Sequence, residues 1–501
     1  MKKAFIIIFL ILFSIFTFAS ELKLTISSNP SRINPILATD SASSEIAGWI
    51  FNGLFKYDKD GNVIGDLAKE WYFENNTTLI IKLKQNVQWH DGENFSADDV
   101  LFTYDTLMSP KIFTPYKTTF KQVQSVEKLD DFTIKTVYIT PYYKALHVWM
   151  TGILPKHILK NDKDLMTSEF NKNPIGTGNY KLKSFKPNQD IVLEVNGNYF
   201  DKVPQIKTIQ YKFVPDPNIE FNMLKLRKID LGGLTPLQID RQLEDSFKNN
   251  YNIYEQASRS YTYMGFNLKN KTFENPKIRE AINLSIDKQE LIDILFFSHG
   301  AITNGPFLPG TFAFNPNIKS HYNPKKAKEI LTELGFNDTN KLSFTVTTNA
   351  GNDTRINAAQ ILQYQLKKVG IDMKIKVMEW QAFLNTVVLP KKFEAVLLGW
   401  SMSLMPDARS IWHSSSFKKG GFNFIGYENK KVDENIEIAE RTTDTKKLTK
   451  LYQEIYKEIA HDNPYIFLYI PNSITAVNNK IKNVSSSLIG VMHNQHEWIK
   501  E

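Results

Sequence analysis

The chain has 501 residues, 42% of them hydrophobic and 23% charged, with no cysteine and a formal net charge of +8. This composition is globular, and a chain of this length divides into about two or three domains with a cleft between them. The missing cysteines exclude zinc-finger and iron–sulfur ligation, a thiol nucleophile and a lipid anchor on an N-terminal cysteine, and the basic residues fall as singlets and pairs such as Lys325-Lys326 rather than as a nucleic-acid-binding run.

Residues 1–19 read as a secretory signal peptide. Lys2 and Lys3 precede an apolar stretch from Ala4 to Phe18, and Thr17-Phe18-Ala19 places small residues at the −3 and −1 positions of a cleavage site. The stretch is shorter than the ~20 residues of a membrane-spanning helix. The mature protein is therefore expected outside the cytoplasm, and with no cysteine for lipidation the periplasm is the expected compartment.

Beyond it, Leu22 to Ile26 alternates as a strand and runs into the polar loop Ser27-Ser-Asn-Pro30. Leu79, Ile81 and Leu83 mark a second strand. Asp91-Gly92 is a turn dipeptide, and Ser96 followed by Asp98 and Asp99 is a helix start, with the helix expected through Met108. Gly176-Thr-Gly178 lacks the third glycine of a dinucleotide fingerprint and reads as a turn or domain crossover. Asn275-Pro276 and Asn323-Pro324 each open a helix, the second closed by Gly335.

From Leu342 to Trp400 the pattern is a βαβαβ unit. A strand to Thr348 is followed by a helix from Thr354 to Val369, a strand through Met373, Ile375 and Val377, a second helical segment, and the apolar run Phe393 to Trp400, which reads as a strand buried on both faces. In such sheets ligands sit beyond the carboxyl ends of the strands, which directs attention to Thr347–Gly351 and Trp400–His413. Trp400 and Trp412 flank Met405-Pro-Asp-Ala-Arg409 there and suit ligand capture, with a purely structural loop as the alternative. Trp49, Trp71 and Trp89 read mostly as core.

No nucleophile elbow, phosphate loop or zinc-protease motif is present. His90-Asp91-Gly92 reads as a turn rather than a catalytic group, and His493 and His496 as surface residues rather than metal ligands. No catalytic residue, metal or cofactor is expected.

Asn52-Gly-Leu-Phe-Lys-Tyr57, Leu67-Ala-Lys-Glu-Trp71 and the run Val87 to Val100 (VQWHDGENFSADDV) resemble the signature of the family 5 extracytoplasmic solute-binding proteins of ABC transporters, the oligopeptide-, dipeptide- and nickel-binding family. Pro174 to Tyr180, Arg279 to Asp287, Tyr322 to Ala327, Gly399-Trp400 and Ile411 to Ser415 continue the resemblance over nearly the whole mature chain. It implies an α/β fold of two lobes, a type II-like periplasmic-binding-protein fold, with an extra α+β subdomain inserted in the first lobe. The corresponding division is 20–45, 172–262 and 480–501 for lobe I, 46–171 for the inserted subdomain and 263–479 for lobe II. The resemblance implies no enzyme but a monomer that closes on a solute between its lobes and docks on an ABC permease served by an ATPase.

Dipeptide-binding relatives place an arginine after the strand equivalent to Phe344–Thr348 to hold the peptide carboxylate, and here Thr347-Thr-Asn-Ala-Gly351 has none. Many relatives place an aspartate shortly after Gly-Trp to hold the α-amino group, and here Ser403 or Met405 stands there, with Asp407 nearby. Resemblance to the oligopeptide branch makes oligopeptides the expected solute. The candidate ligand-binding residues are Asn29, Thr348, Asn349, Trp400, Ser403, Leu404, Met405, Asp407 and His413. The alternative solute is a nickel chelate such as nickel–histidine, to which His413 or the C-terminal histidines would contribute a ligand, and a third reading is a periplasmic hydrolase.

Overall fold

The computed structural model describes residues 20–319, 321–418 and 421–501, so the expected signal peptide lies outside the described residues. No helix among them is long and apolar enough to cross a membrane. Three sheets of four or more strands carry the fold.

The first is a four-stranded sheet ordered Glu21–Ile26, Thr208–Phe213, Asp190–Val195 and Tyr180–Lys186, the first pair parallel and the others antiparallel. Leu22, Leu24 and Ile26 alternate inward, as their spacing requires. Within 46–171 lies a second four-stranded antiparallel sheet, Ala68–Asn75, Thr78–Leu83, Thr133–Tyr138 and Val123–Asp130. Its helix Ala97–Met108 starts with a reciprocal cap, Ser96 and Asp99 each bonding the other's backbone. The two sheets share one continuous hydrophobic core, reaching from Leu22 to Trp149 and on to Trp498.

At Gly176-Thr-Gly178, expected as a turn or domain crossover, the backbones touch. A Cβ on Gly176 would lie 1.9 Å from the Ile50 carbonyl oxygen and one on Gly178 would lie 2.2 Å from that of Trp49. His90 supports this crossing. Its Nε2 bonds the Gly178 carbonyl at 3.0 Å and its Nδ1 accepts the Gly176 N–H at 3.3 Å. Asp91-Gly92 makes the expected turn, with Gly92 at φ 96°.

The eight-stranded sheet contains the βαβαβ unit. Ser343–Asn349 lies parallel to Asp372–Met378 on one side and to Ala395–Ser401 on the other. Helix Asp353–Lys367 crosses between the first two strands and stops before Gly370, which takes φ 88°. The strand from Ala395 is buried on both faces as expected, Ala395 and Leu397 entering one core and Val396 and Leu398 the other. Helices Pro276–Leu284 and Pro324–Glu333 open at their Asn-Pro pairs, with the asparagine side chains as caps.

One strand, Tyr465–Asn478, belongs to both lobes. Its first half pairs with Ser260–Phe266 and with Gly300–Ile302. Its second half pairs with Tyr251–Ala257 and Leu231–Leu234. The segment 472–478, expected with lobe II, therefore pairs with strands expected in lobe I. Periodicity marks a strand without telling that it changes partners halfway.

Burial brings the His90 imidazole down from 6.5 to about 4. It is neutral in the fold and protonates below pH 6.5 in the unfolded chain, so it contributes stability above pH 6.5 that is lost as pH falls towards 4. His90→Gln should therefore be less stable than wild type at pH 7, by roughly 1–3 kcal/mol. The gap should close towards pH 4 in urea titrations, and a gap constant with pH would contradict this.

Candidate functional site

The carboxyl ends of strands Ser343–Asn349 and Ala395–Ser401 open on a cavity of about 380 Å³. Its wall includes Tyr261, Arg355, Gly399, Trp400, Tyr469 and Pro471. Pro471 and Ser260 bring the crossing between the lobes to its edge.

Arg355 dominates the electrostatics. The Asn352 side chain caps the helix by accepting from the Arg355 N–H at 2.9 Å, which places Arg355 in the first turn, beside the strand end. Its Nη1 donates to Asn349 Oδ1, and Asn349 is fixed in turn by its own amide donating to the Ala350 carbonyl at 2.9 Å. Nη2 lies beside Gly399, where the strands approach so closely that a Cβ would stand 2.9 Å from the Tyr261 carbonyl oxygen. Nε is buried and has no hydrogen-bond partner, and no carboxylate among the described residues pairs with the group. Burial pulls its pKa below the ordinary guanidinium value, against the opposing influence of the Tyr469 and Tyr263 phenols.

Trp400 forms the aromatic wall. Its indole is parallel to Tyr263 at 6.5 Å between centroids and meets Phe422 edge-on at 5.6 Å. Thr348 lies beneath the site, fully buried, its hydroxyl donating to the Leu397 carbonyl at 3.0 Å and tying the parallel strands together.

The other expected residues serve the loops. Asn29 exchanges hydrogen bonds with Asn188, at 2.6 and 2.9 Å, pinning the turn in which Asn188 takes φ 60°. Ser403 bonds the Met405 carbonyl, Leu404 is buried, and Met405 packs on the lobe II core. Asp407 is paired with Lys144 at 3.2 Å. His413 is buried, accepts at Nδ1 from the Ser415 N–H at 3.1 Å, and lies with Nε2 3.4 Å from Glu437. It caps a turn, and no group of three metal-ligating side chains occurs among the described residues. Trp412, expected beside Trp400 in the site, is fully buried and packs edge-on against Tyr427 and Tyr465. Of the expected residues, the cavity thus gathers Trp400, with Asn349 and Thr348 directly behind its wall.

Sequence reasoning missed Arg355. It sought a cation directly after the strand, within Thr347–Gly351, whereas the chain supplies one from the first turn of the following helix, and the available signal was the cap asparagine Asn352 with arginine three positions on. A larger cavity, about 800 Å³, lies within lobe I and includes Tyr57, Asp66, Tyr199, His493 and His496. Asp66 is already paired there with Lys56 at 2.9 Å, and burial lowers the pKa of both histidines. We place the site at the smaller cavity because it holds the unpaired cation.

Residues 62–423 match the model of the bacterial extracellular solute-binding proteins, family 5 Middle. The chain belongs to this family. This family 5 chain is 35% identical over 489 residues to the oligopeptide-binding protein AppA of Bacillus subtilis (strain 168), covering 94% of this chain and 89% of that protein. Among solved structures it resembles B. subtilis AppA in complex with a nonapeptide, at 33% identity and TM-score 0.75 over 96% of this chain and 99% of that one. It also resembles NikZ from Campylobacter jejuni in complex with Ni(L-His), at 29% identity and TM-score 0.77 over 96% of this chain and all of that one. The two-lobed α/β fold is that of the family.

The two tryptophans should separate cleanly on mutation. Trp412→Ala should cost about 3–5 kcal/mol in denaturant unfolding, whereas Trp400→Ala, from a half-buried wall, should cost much less. Equal losses would mean that Trp400 is core rather than cavity wall.

Proposed function

We propose that this chain is the receptor of an ABC importer that captures oligopeptides between its lobes, with Arg355 holding a carboxylate of the solute. The single observation that carries this is the Arg355 guanidinium in the cavity wall, oriented by Asn349 and paired with no carboxylate among the described residues. A half-buried cation without an anion is only partly compensated by water, and a ligand carboxylate supplies the missing charge and acceptors. Trp400 offers flat apolar surface beside it, while main-chain hydrogen bonds hold an extended peptide independently of its side chains. The likeness to AppA in its nonapeptide complex supports the peptide reading.

The rest of the proposal follows from the family. Residues 1–19 direct export, the mature monomer works in the periplasm, and the closed form delivers its solute to a permease driven by its ATPase. It catalyses no reaction. A nickel chelate is the second reading, favoured by the likeness to NikZ in its Ni(L-His) complex. A chelating amino acid would present its carboxylate to the same arginine and bring most of the metal's ligands with it.

Native mass spectrometry of the protein isolated from the periplasm, with elemental analysis, separates these solutes by mass and nickel content. Titration with peptides then tests the arginine. Arg355→Ala should weaken binding of a free-carboxylate peptide about 10- to 150-fold, the equivalent of ~1.5–3 kcal/mol for a charged hydrogen bond. C-terminal amidation should cost the wild type as much and the variant little. Equal binding of both peptide forms by the wild type would remove Arg355 from the site.

A further inference from the structure

Tyr143 and Lys144 lie in the loop after strand Thr133–Tyr138 of the inserted subdomain, and both reach across to the second lobe. The Tyr143 N–H donates to the Glu440 carbonyl at 3.3 Å, and its phenol donates to the Pro406 carbonyl at 3.1 Å. The Tyr452 phenol oxygen lies 3.3 Å from that of Tyr143 and 3.1 Å from the same carbonyl. Lys144 Nζ lies 3.2 Å from Asp407 Oδ2 and 5.2 Å from the centre of the Tyr143 ring. The receiving surface is itself braced, because Arg409 grips the Glu440 carboxylate with Nε and Nη2 at 2.5 and 2.7 Å.

Every partner in this cluster is protein. Pro406, Asp407 and Arg409 follow directly on the strand that ends beyond Trp400, so the contact is made by the loop that borders the solute cavity. The backbone joins the lobes only at the paired strands near Ser258 and Pro471, a connection that permits rotation. A second point of attachment, far along the chain from that hinge, fixes the rotation.

We infer that Tyr143 and Lys144 form a latch that holds the lobes together without solute, Tyr143 docking on Pro406, Glu440 and Tyr452 while Lys144 pairs with Asp407. Asp407 on this view is a positioning residue of closure and does not meet the solute. The inference rests on the two-lobed fold and not on the identity of the solute.

The test uses protein stripped of solute by unfolding, dialysis and refolding. Its lobe separation is followed by small-angle X-ray scattering and by fluorophores attached to cysteines introduced one in each lobe. The wild type should populate the closed separation. Tyr143→Ala should move the population to the open separation, and Lys144→Glu should raise the open-to-closed ratio roughly two- to fivefold, as expected for a partly exposed ion pair. Lys144→Glu combined with Asp407→Lys should return the ratio towards wild type. Far-ultraviolet circular dichroism and the unfolding midpoint check that each variant is folded. A wild type as open as Tyr143→Ala would overturn the latch, and failure of the charge swap to restore closure would remove the ion pair from it. Because no ligand enters the measurement, failure of the peptide proposal leaves the result readable.

Discussion

The architecture depends on the sharing of one strand, Tyr465–Asn478, between two sheets' worth of partners. A strand ladder is stiff against stretching but twists readily, and here it is weakened at the crossing. Pro471 has no N–H to donate, and the opposing chain bends between Tyr251–Ala257 and Ser260–Phe266, where Ser258 bonds the Pro471 carbonyl at 2.9 Å. Both lobes can turn about this point while their own cores stay intact. The cavity reaches to Ser260 and Pro471, so rotation at the hinge alters its mouth directly.

Around that hinge the charges are distributed unevenly. The guanidinium of Arg355 is positioned by a neutral amide, which orients it without satisfying its charge. Asp407, which an acid-seeking reading gives to the solute, is committed to Lys144. The result is a cavity whose fixed positive charge has no carboxylate partner among the described residues. A site of this charge suits the anionic end of a solute, with Trp400 as an aromatic wall that does not discriminate by charge.

Much of the scaffold was legible because local chemistry and tertiary structure agree there. The Ser96–Asp99 cap, the two Asn-Pro helix starts, Gly370 at positive φ and the doubly buried run from Ala395 each express a requirement of one segment. The site was less legible because it is made between segments. A tryptophan in a loop after a buried strand carries no local sign of facing solvent or core, so Trp400 and Trp412 read alike until packing separates them. Arg355 reaches the cavity because the helix cap sets it in the first turn beside the strand end, a relation of space and not of alignment. The partner of Asp407 lies 263 positions away.

That distant pairing also bears on why the acid after Gly399-Trp400 is absent from its usual place. An aspartate held by a lysine gains little from exchanging it for a solute's ammonium group, since one cation replaces another in similar surroundings and both must be stripped of water. A free acid at Ser403 or Met405 would offer the ammonium a site but would also compete with Asp407 for Lys144, loosening the contact between the lobes. With uncharged residues there, closure and solute recognition use different charges. On the two proposals together, Lys144 and Asp407 hold the lobes while Arg355 holds the anion, so no charge has to serve both.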